Sequence, residues 1–163
     1  MGVAGSGKST VAARLAQRLG WDFAEADTFH SSANIAKMSS GTPLTDDDRA
    51  PWLDAMAAYL AHSRASGKPC VLACSALRRA YRDRLASGNA DARFVYLQGS
   101  FEMIAARLAT RRGHYMPASL LASQFATLEE PTPDEHAITL PAEQPVAALV
   151  DEAVRALGLA KPS

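Results

Sequence analysis

The chain has 163 residues, of which 48% are hydrophobic and 21% are charged, which is ordinary for a globular protein with one domain. Its 17 lysines and arginines equal its 17 aspartates and glutamates, so no broad electrostatic field predicts binding to nucleic acid or to a membrane surface. No apolar run approaches the roughly 20 residues of a membrane-spanning helix.

The first ten residues carry the strongest pattern of the chain. Residues 2–9, GVAGSGKS, fit the phosphate-binding consensus GxxxxGK[ST]. The glycines allow successive N–H groups to turn inward around an anion, Lys8 would reach the β- and γ-phosphates, and the Ser9 hydroxyl would bind Mg²⁺. A glycine-rich turn before a helix is the alternative, but the helical pattern at 9–19 favours a nucleotide site. The predicted site comprises Gly2, Val3, Ala4, Gly5, Ser6, Gly7, Lys8, Ser9 and Thr10.

The same loop predicts a segment upstream of Met1. A loop of this kind follows a buried parallel strand, and the neighbours of a central strand need it as a hydrogen-bond partner. Only Met1 precedes Gly2. We therefore expect that the first strand is largely missing from this chain and that Met1 is an internal strand methionine of the native protein.

The remaining chain alternates strand and helix patterns. Strands are predicted at 21–25, 70–74, 93–97 and 136–140, and helices at 9–19, 33–38, 48–64, 78–86, 100–112, 117–128 and 146–157. The third helix is expected to start near Asp48 because Pro51 is tolerated only in a first helical turn. Apolar strands that alternate with helices predict an α/β fold with three layers, in which helices cover both faces of a parallel sheet. We expect a single domain over residues 1–163.

The only two cysteines, Cys70 and Cys74, fall on one predicted strand. At about 3.3 Å per residue they would lie about 13 Å apart, which is too far for a disulfide. Free thiols favour a reducing, cytoplasmic location.

Two carboxylates end the strand at 21–25. Glu25 and Asp27 point to the same side, next to the phosphate loop if this strand is its neighbour. Asp27 could accept the proton of an acceptor hydroxyl, and Glu25 could hold a magnesium-bound water. A solvated strand end is the alternative. The strand at 70–74 has no such aspartate, which disfavours a GTPase or a motor ATPase.

Three arginines, Arg107, Arg111 and Arg112, precede Gly113 at the end of a predicted helix. Arg107 and Arg111 share one helical face with no acid between them, which indicates an anion site. An ordinary basic helix terminus is the alternative. In the functional interpretation these arginines close on ATP as part of a lid over about 111–128, with Gly113 as a hinge.

Polar residues also concentrate between the first two predicted strands. His30, Asn34 and Lys37 share a helical face, and Arg49 follows three aspartates. Any one of them is compatible with a solvated surface, but the group indicates a site for a small polyhydroxylated or anionic acceptor.

With these residues in place, the chain resembles gluconokinases of the shikimate-kinase-like group. The resemblance covers nearly the whole chain. It rests on the phosphate loop and on DTFH (27–30), NIAKM (34–38), GTPLTD (41–46), DRAPWL (48–53), CSAL (74–77), YRD (81–83), GHYM (113–116), QF (124–125) and LEEP (128–131). The family commonly has Asp-Gly-Asp where this chain has Glu25-Ala26-Asp27, which leaves the role of Glu25 open.

The resemblance implies a P-loop kinase fold and the ATP-dependent phosphorylation of D-gluconate at its 6-hydroxyl, in a homodimer with a mobile lid. It makes Asp27 the contact to the reacting hydroxyl, with Lys8 and Arg111 as the other catalytic residues. Substrate candidates are His30, Lys37, Arg49, Arg78 and Arg82. A kinase for another acceptor, such as shikimate or a nucleoside monophosphate, and an ATP-binding protein without catalysis are the alternatives.

Overall fold

The structure is a computed structural model that describes residues 1–110 and 118–159. Helices and strands alternate along these residues as the sequence predicts. In chain order they are α1 (Lys8–Leu19), β1 (Asp22–Glu25), α2 (Ser32–Ser39), α3 (Asp46–Ala65), β2 (Cys70–Ala73), α4 (Arg79–Ala86), β3 (Val95–Gln98), α5 (Phe101–Thr110), α6 (Ala118–Thr127), β4 (Ile138–Pro141) and α7 (Val146–Ala156). Short 3₁₀ turns follow β1 and precede β4, at Ala26–Phe29 and Pro133–Glu135.

The strands pair in parallel, as predicted, but within the described residues they form two separate pairs. β1 pairs with β2, with Asp22 opposite Cys70, and β3 pairs with β4, with Val95 opposite Ile138. The start of the phosphate loop bridges the two pairs. The backbone N–H of Gly2 donates to Ser75 at the end of β2 (3.1 Å), and the Met1 carbonyl accepts from Leu97 of β3 (2.9 Å).

A cavity of about 630 Å³ lies beneath this bridge, between β2 and β3. Its lining is mainly apolar, from the two strands and α1, and includes the Lys8 side chain. The one continuous sheet expected from the sequence is therefore divided here, because no strand among the described residues supplies ladder partners to both β2 and β3.

Helices cover both faces of the strands, which confirms the predicted three-layer α/β arrangement. Neighbouring residues of β2 point to opposite faces, as strand geometry requires. Val71 packs against a cluster from α1 and α7, and Leu72 packs against a cluster from α3 and α4. A third cluster joins the phosphate loop to the last helices before β4, and it contains Val3, Leu77, Ile104 and Leu121. In residues 1–110 and 118–159, none of the helices has the length and apolarity that a bilayer crossing requires.

The start of α3 differs from the prediction near Asp48. The helix begins at Asp46 because Thr45 caps it: the Thr45 hydroxyl accepts from the backbone N–H of Asp48, and the Asp48 carboxylate accepts from that of Thr45. This capping box satisfies two backbone donors that a helix N-terminus otherwise leaves free. Pro51 consequently lies inside the helix rather than in its first turn. Pro51 has no N–H, so the helix lacks one backbone hydrogen bond at this position.

Candidate functional site

The phosphate loop wraps around the N-terminus of α1. Its glycines have positive φ angles, and two of them also lack room for a side chain. A Cβ on Gly2 would lie 2.8 Å from the Leu97 carbonyl oxygen, and one on Gly5 would lie 2.8 Å from Cγ of Leu108. Gly7 caps α1 without a side-chain hydrogen bond, so the first N–H groups of the helix face the loop interior uncapped. Such N–H groups bind anions.

Ser6 gives a second indication that the loop receives a polar ligand. Its side chain is 1% exposed, and its hydroxyl has no hydrogen-bond partner among the described residues. An unpaired buried hydroxyl is costly, and a phosphate oxygen would satisfy it. The loop therefore fits the phosphates of a nucleotide.

Lys8 lies folded back on the loop, where its Nζ donates to the Val3 carbonyl (2.8 Å). Burial lowers the pKa of Lys8, and the nearby carboxylates of Asp27 and Glu25 oppose that shift. The carboxylates at the end of β1 therefore act electrostatically on the loop lysine. Their roles in catalysis and metal binding stay predictions.

The turn that carries Asp27 is held from α3. Trp52 donates its indole N–H to the Ala26 carbonyl (2.7 Å), and its ring stacks on His30 at 4.5 Å with only 7° between the planes. Asp27 itself is exposed. Its carboxylate therefore stands in solvent at the mouth of the site, while the backbone beneath it is fixed.

His30 offers a polar nitrogen to this space. Burial lowers the pKa of His30, an effect that Asp27 opposes and Arg49 reinforces. The imidazole is therefore neutral at pH 7. Its Nδ1 is buried and without a partner among the described residues. A neutral imidazole can donate to or accept from a hydroxyl group.

Three predicted substrate cations stand nearby, and each has an acidic or carbonyl partner. The Lys37 ammonium pairs with Asp48 (2.7 Å), Nη1 of Arg49 donates to the Leu44 carbonyl (2.6 Å), and Nη1 of Arg78 pairs with Asp46 (2.9 Å). The hydrogen bond from Lys37, with those from Thr45, lowers the pKa of Asp48 to about 2. The acidic start of α3 therefore holds these cations in one wall, which we call the acceptor wall (residues 30–49 and 78).

Arg82 differs from the expectation that it reaches a substrate. Its side chain is 1% exposed and forms an ion pair with Glu135, which is 6% exposed (2.5 Å). It also donates to the carbonyl of Ala76 (3.0 Å). Arg78 precedes α4 as its N-cap, whereas Arg82 lies on the buried face of that helix beside Leu85. Arg82 thus supports the backbone after β2 from below and does not line the site.

The basic end of α5 is only partly described. Nη2 of Arg107 donates to the Ala142 carbonyl (2.9 Å), and its Nη1 lies 3.5 Å from the Ser6 carbonyl, so this side chain borders the phosphate loop. Arg111, Arg112 and Gly113 lie outside the described residues. Of the predicted lid, residues 118–128 are described and contain α6.

One contact of the site has no local signal in the sequence. The side chain of Gln124 on α6 accepts a hydrogen bond from the backbone N–H of Ala4 in the phosphate loop (2.6 Å). The two residues are 120 positions apart. Only the resemblance singled out the Gln124-Phe125 pair, and it did not indicate what the glutamine contacts.

Comparison with known proteins agrees with this geometry. The family model described as an AAA domain matches residues 1–131. The gluconokinase of Gluconobacter oxydans is 48% identical over 155 residues, covering 95% of this chain and 87% of the relative. The crystal structure of a gluconokinase from Sinorhizobium meliloti 1021 superposes with a TM-score of 0.87 at 46% identity, covering 98% of this chain and 89% of the other. A sugar kinase from Janibacter sp. HTCC2649 superposes with a TM-score of 0.91 at 48% identity, with coverages of 98% and 92%.

Likeness at this level over nearly the full length of both partners extends well beyond the phosphate loop. It includes the acceptor wall and the segment from α6 to β4, which other phosphate-loop proteins need not share. The chain therefore belongs to the gluconokinase family.

Proposed function

We propose that this chain transfers the γ-phosphoryl group of ATP to the 6-hydroxyl of D-gluconate, giving 6-phospho-D-gluconate and ADP. The observation that carries the proposal is the phosphate loop, with its positive-φ glycines and the half-buried Lys8 folded onto it, in a chain 48% identical to a gluconokinase. A phosphate-binding cation and an exposed carboxylate at one strand end are what transfer to an alcohol requires.

In this mechanism the enzyme positions the two substrates and neutralises the negative charge of the phosphates. Residues 2–10 bind the phosphates through backbone N–H groups, and Lys8 leaves the Val3 carbonyl to contact the β- and γ-phosphates. Arg107 and Arg111 add positive charge around the transferred group. The acceptor oxygen forms a bond to the γ-phosphorus as the bond to the β-phosphate oxygen breaks. The hydroxyl proton passes to Asp27, which orients the hydroxyl beforehand.

Mg²⁺ is part of the proposal. Ser9 lies in the first turn of α1, where its hydroxyl would supply an oxygen ligand of the kind Mg²⁺ prefers, and Glu25 would support the ion through water. When bound, the ion would neutralise charge on the phosphates. The uncapped start of α1 fits the phosphates to which the ion would be bound.

The acceptor wall supplies the substrate contacts. We assign the carboxylate and hydroxyls of gluconate to His30, Lys37, Arg49 and Arg78. Each cation already has a partner in the structure, so the substrate would share or displace it. Arg82 is left out of this set because its guanidinium is buried against Glu135.

The proposal extends to the organisation of the protein. We propose one kinase domain over residues 1–163 with a lid at about 111–128, a homodimer, and a cytoplasmic location. Cys70 and Cys74 are free thiols, which supports a reducing compartment.

The decisive experiment is coupled ADP release with Mg-ATP and a panel of acceptors: gluconate, shikimate, glucose and AMP. We expect turnover with gluconate alone, because a site built for hydroxyl hydrogen bonds rejects analogues that leave them unpaired. Turnover with shikimate or AMP instead would assign another acceptor.

The variant Asp27→Asn separates catalysis from mere binding. We expect its kcat to fall by about 10²-fold or more while ATP affinity changes little, because only the proton acceptor is lost. Asp22→Asn, at the opposite end of β1, is the matched control and should leave kcat unchanged. If the unmodified protein bound ATP tightly but released no ADP with any acceptor, the kinase proposal would fail and the alternative of a non-catalytic ATP-binding protein would be favoured.

A further inference from the structure

One peptide group of the phosphate loop is held at both of its polar ends. The N–H of Ala4 donates to Oε1 of Gln124 (2.6 Å), and the carbonyl of Val3, on the same peptide, accepts from Nζ of Lys8 (2.8 Å). A peptide group is planar, so fixing its N–H also fixes the direction of its carbonyl. The Val3 carbonyl also accepts from the backbone N–H of Ser6 (3.3 Å), so Gln124 and Ser6 together fix the peptide on which Lys8 rests.

Gln124 itself is held firmly in place. Leu121, one turn earlier on α6, is 2% exposed and packs in the cluster that contains Val3. The Phe125 ring meets Phe101 of α5 edge-on at 5.5 Å. Just past the helix, the N–H of Glu129 donates to the Leu77 carbonyl (2.8 Å). Because these three contacts anchor the segment, the side chain of Gln124 can fix the position of the Ala4 N–H.

From this geometry we infer that Gln124 is a positioning residue for phosphoryl transfer, acting on Lys8 through the Val3–Ala4 peptide. Without an acceptor at position 124, the Ala4 N–H loses its partner, and the peptide is held only through the Val3 carbonyl, which accepts from Nζ of Lys8 and from the backbone N–H of Ser6 (3.3 Å). When Lys8 moves to the phosphates, only the long hydrogen bond from Ser6 remains, and the loop reaches its phosphate-binding shape from a wider set of conformations. The inference rests on the proposed kinase activity, since its consequence is a slower use of ATP.

The effect should fall on ATP and not on the acceptor. Gln124 contacts the phosphate loop, whereas the acceptor wall is built from α2, the start of α3 and the N-cap of α4. A merely structural glutamine would instead lower stability and leave both Michaelis constants unchanged. The split between the two substrates thus distinguishes positioning from support.

The test compares two substitutions of similar length. Gln124→Met keeps the reach and the apolar stem but removes the acceptor oxygen, whereas Gln124→Glu retains an oxygen that the Ala4 N–H can reach. For Gln124→Met we expect kcat to fall about tenfold and the KM for ATP to rise several-fold, with the KM for gluconate within twofold. Gln124→Glu, at saturating ATP, should recover kcat to within about twofold.

Ser123→Ala is the control on the same helix, at an exposed position, and should match the unmodified enzyme in every constant. Calorimetric titration with ATP alone reads the same effect without an acceptor, so the inference can be judged even if gluconate proves to be the wrong substrate. Unchanged kcat and ATP affinity in Gln124→Met would overturn it. Equal loss in the Met and Glu variants would do the same.

Discussion

The phosphate loop and the acceptor wall, which we propose to bind the two substrates, are specified in different ways. The loop consists of nine consecutive residues whose backbone conformation follows from their own glycines. The acceptor wall draws on α2, the start of α3 and the N-cap of α4, and ion pairs such as Lys37–Asp48 and Arg78–Asp46 hold it together. The conformation of the loop is therefore set mainly by its own residues, with a further contact from Gln124, whereas the wall exists only once distant segments have met.

This contrast has a chemical counterpart. Every gluconokinase substrate complex needs the same polyphosphate site, for which backbone N–H groups and one lysine suffice. Recognition of a sugar acid requires side chains of opposite charge and neutral donors at set distances, which backbone groups alone cannot supply. The predictions below compare the two regions, starting with the largest expected effect.

Removing the loop cation should show how far catalysis depends on the phosphate loop. We expect Lys8→Ala to lower kcat by about 10³-fold, because no other described cation donates into the centre of the loop. Coupled ADP release measures this. Lys68→Ala, at an exposed turn position, is the matched lysine control and should retain full activity. A Lys8→Ala enzyme within tenfold of the original would contradict the loop mechanism.

Arg78 and Arg82, near the N-terminus of α4, distinguish a substrate-binding arginine from a structural one. Arg82→Met should reduce the free energy of unfolding by roughly 3–5 kcal/mol, since it leaves the Glu135 carboxylate buried without its cation. Arg78→Met should leave the unfolding midpoint within a few degrees, because its pair with Asp46 is exposed, and should raise the KM for gluconate about tenfold.

Urea unfolding and initial rates distinguish the two arginines. In the double variant Arg82→Met/Glu135→Leu, much of the lost stability should return, because neither buried charge remains. If Arg82→Met raised the KM for gluconate without loss of stability, the assignment of Arg82 to support would be wrong.

Glycine substitutions test whether the phosphate loop requires glycine because of steric crowding as well as because of its positive φ angles. Gly2 and Gly20 both have positive φ angles, but a Cβ would meet the Leu97 carbonyl oxygen at Gly2 and nothing within 4 Å at Gly20. We expect Gly20→Ala to cost about 1 kcal/mol of unfolding free energy and Gly2→Ala at least about 2, with a higher KM for ATP. Equal costs for both would show that the close approach at Gly2 is relieved by a small shift.

The last prediction concerns the dependence of stability on pH. The hydrogen bond and charge of Arg82 lower the pKa of Glu135 from 4.5 to about 2. Between these values the unfolded chain binds the proton and the folded chain does not. The contribution of Glu135 to stability is therefore complete above pH 4.5 and is lost as pH falls towards 2.

Glu135→Gln should reduce the slope of unfolding free energy against pH by an amount that corresponds to at most one bound proton. Urea unfolding at several pH values between 2 and 6 measures this slope. Subtracting the curves of the two proteins isolates Glu135 from the other paired carboxylates, such as Asp48. If the curves of unfolding free energy against pH were parallel for the two proteins in that range, the Arg82–Glu135 pair would not cause the pH dependence.

The sequence predicts most of the fold correctly for identifiable reasons. Apolar strands alternating with amphipathic helices indicated the α/β class, and each predicted strand overlaps one of β1 to β4. The family resemblance is confirmed by relatives that match nearly the whole chain. The start of α3 was misplaced by two residues, because a rule about Pro51 was given more weight than the capping signal of Thr45 and Asp48.

The sequence by itself determined the phosphate loop, because the glycines and the consensus lysine all lie within one short segment of the chain. Only the tertiary structure decided which cations are available to a substrate. Arg78 and Arg82 are four residues apart and chemically identical, yet one is exposed and the other is buried against Glu135. Likewise Gln124 acquires its contact with Ala4 only when α6 packs on the loop. Such long-range contacts depend on how helices pack, and packing is a property of the whole chain rather than of any segment.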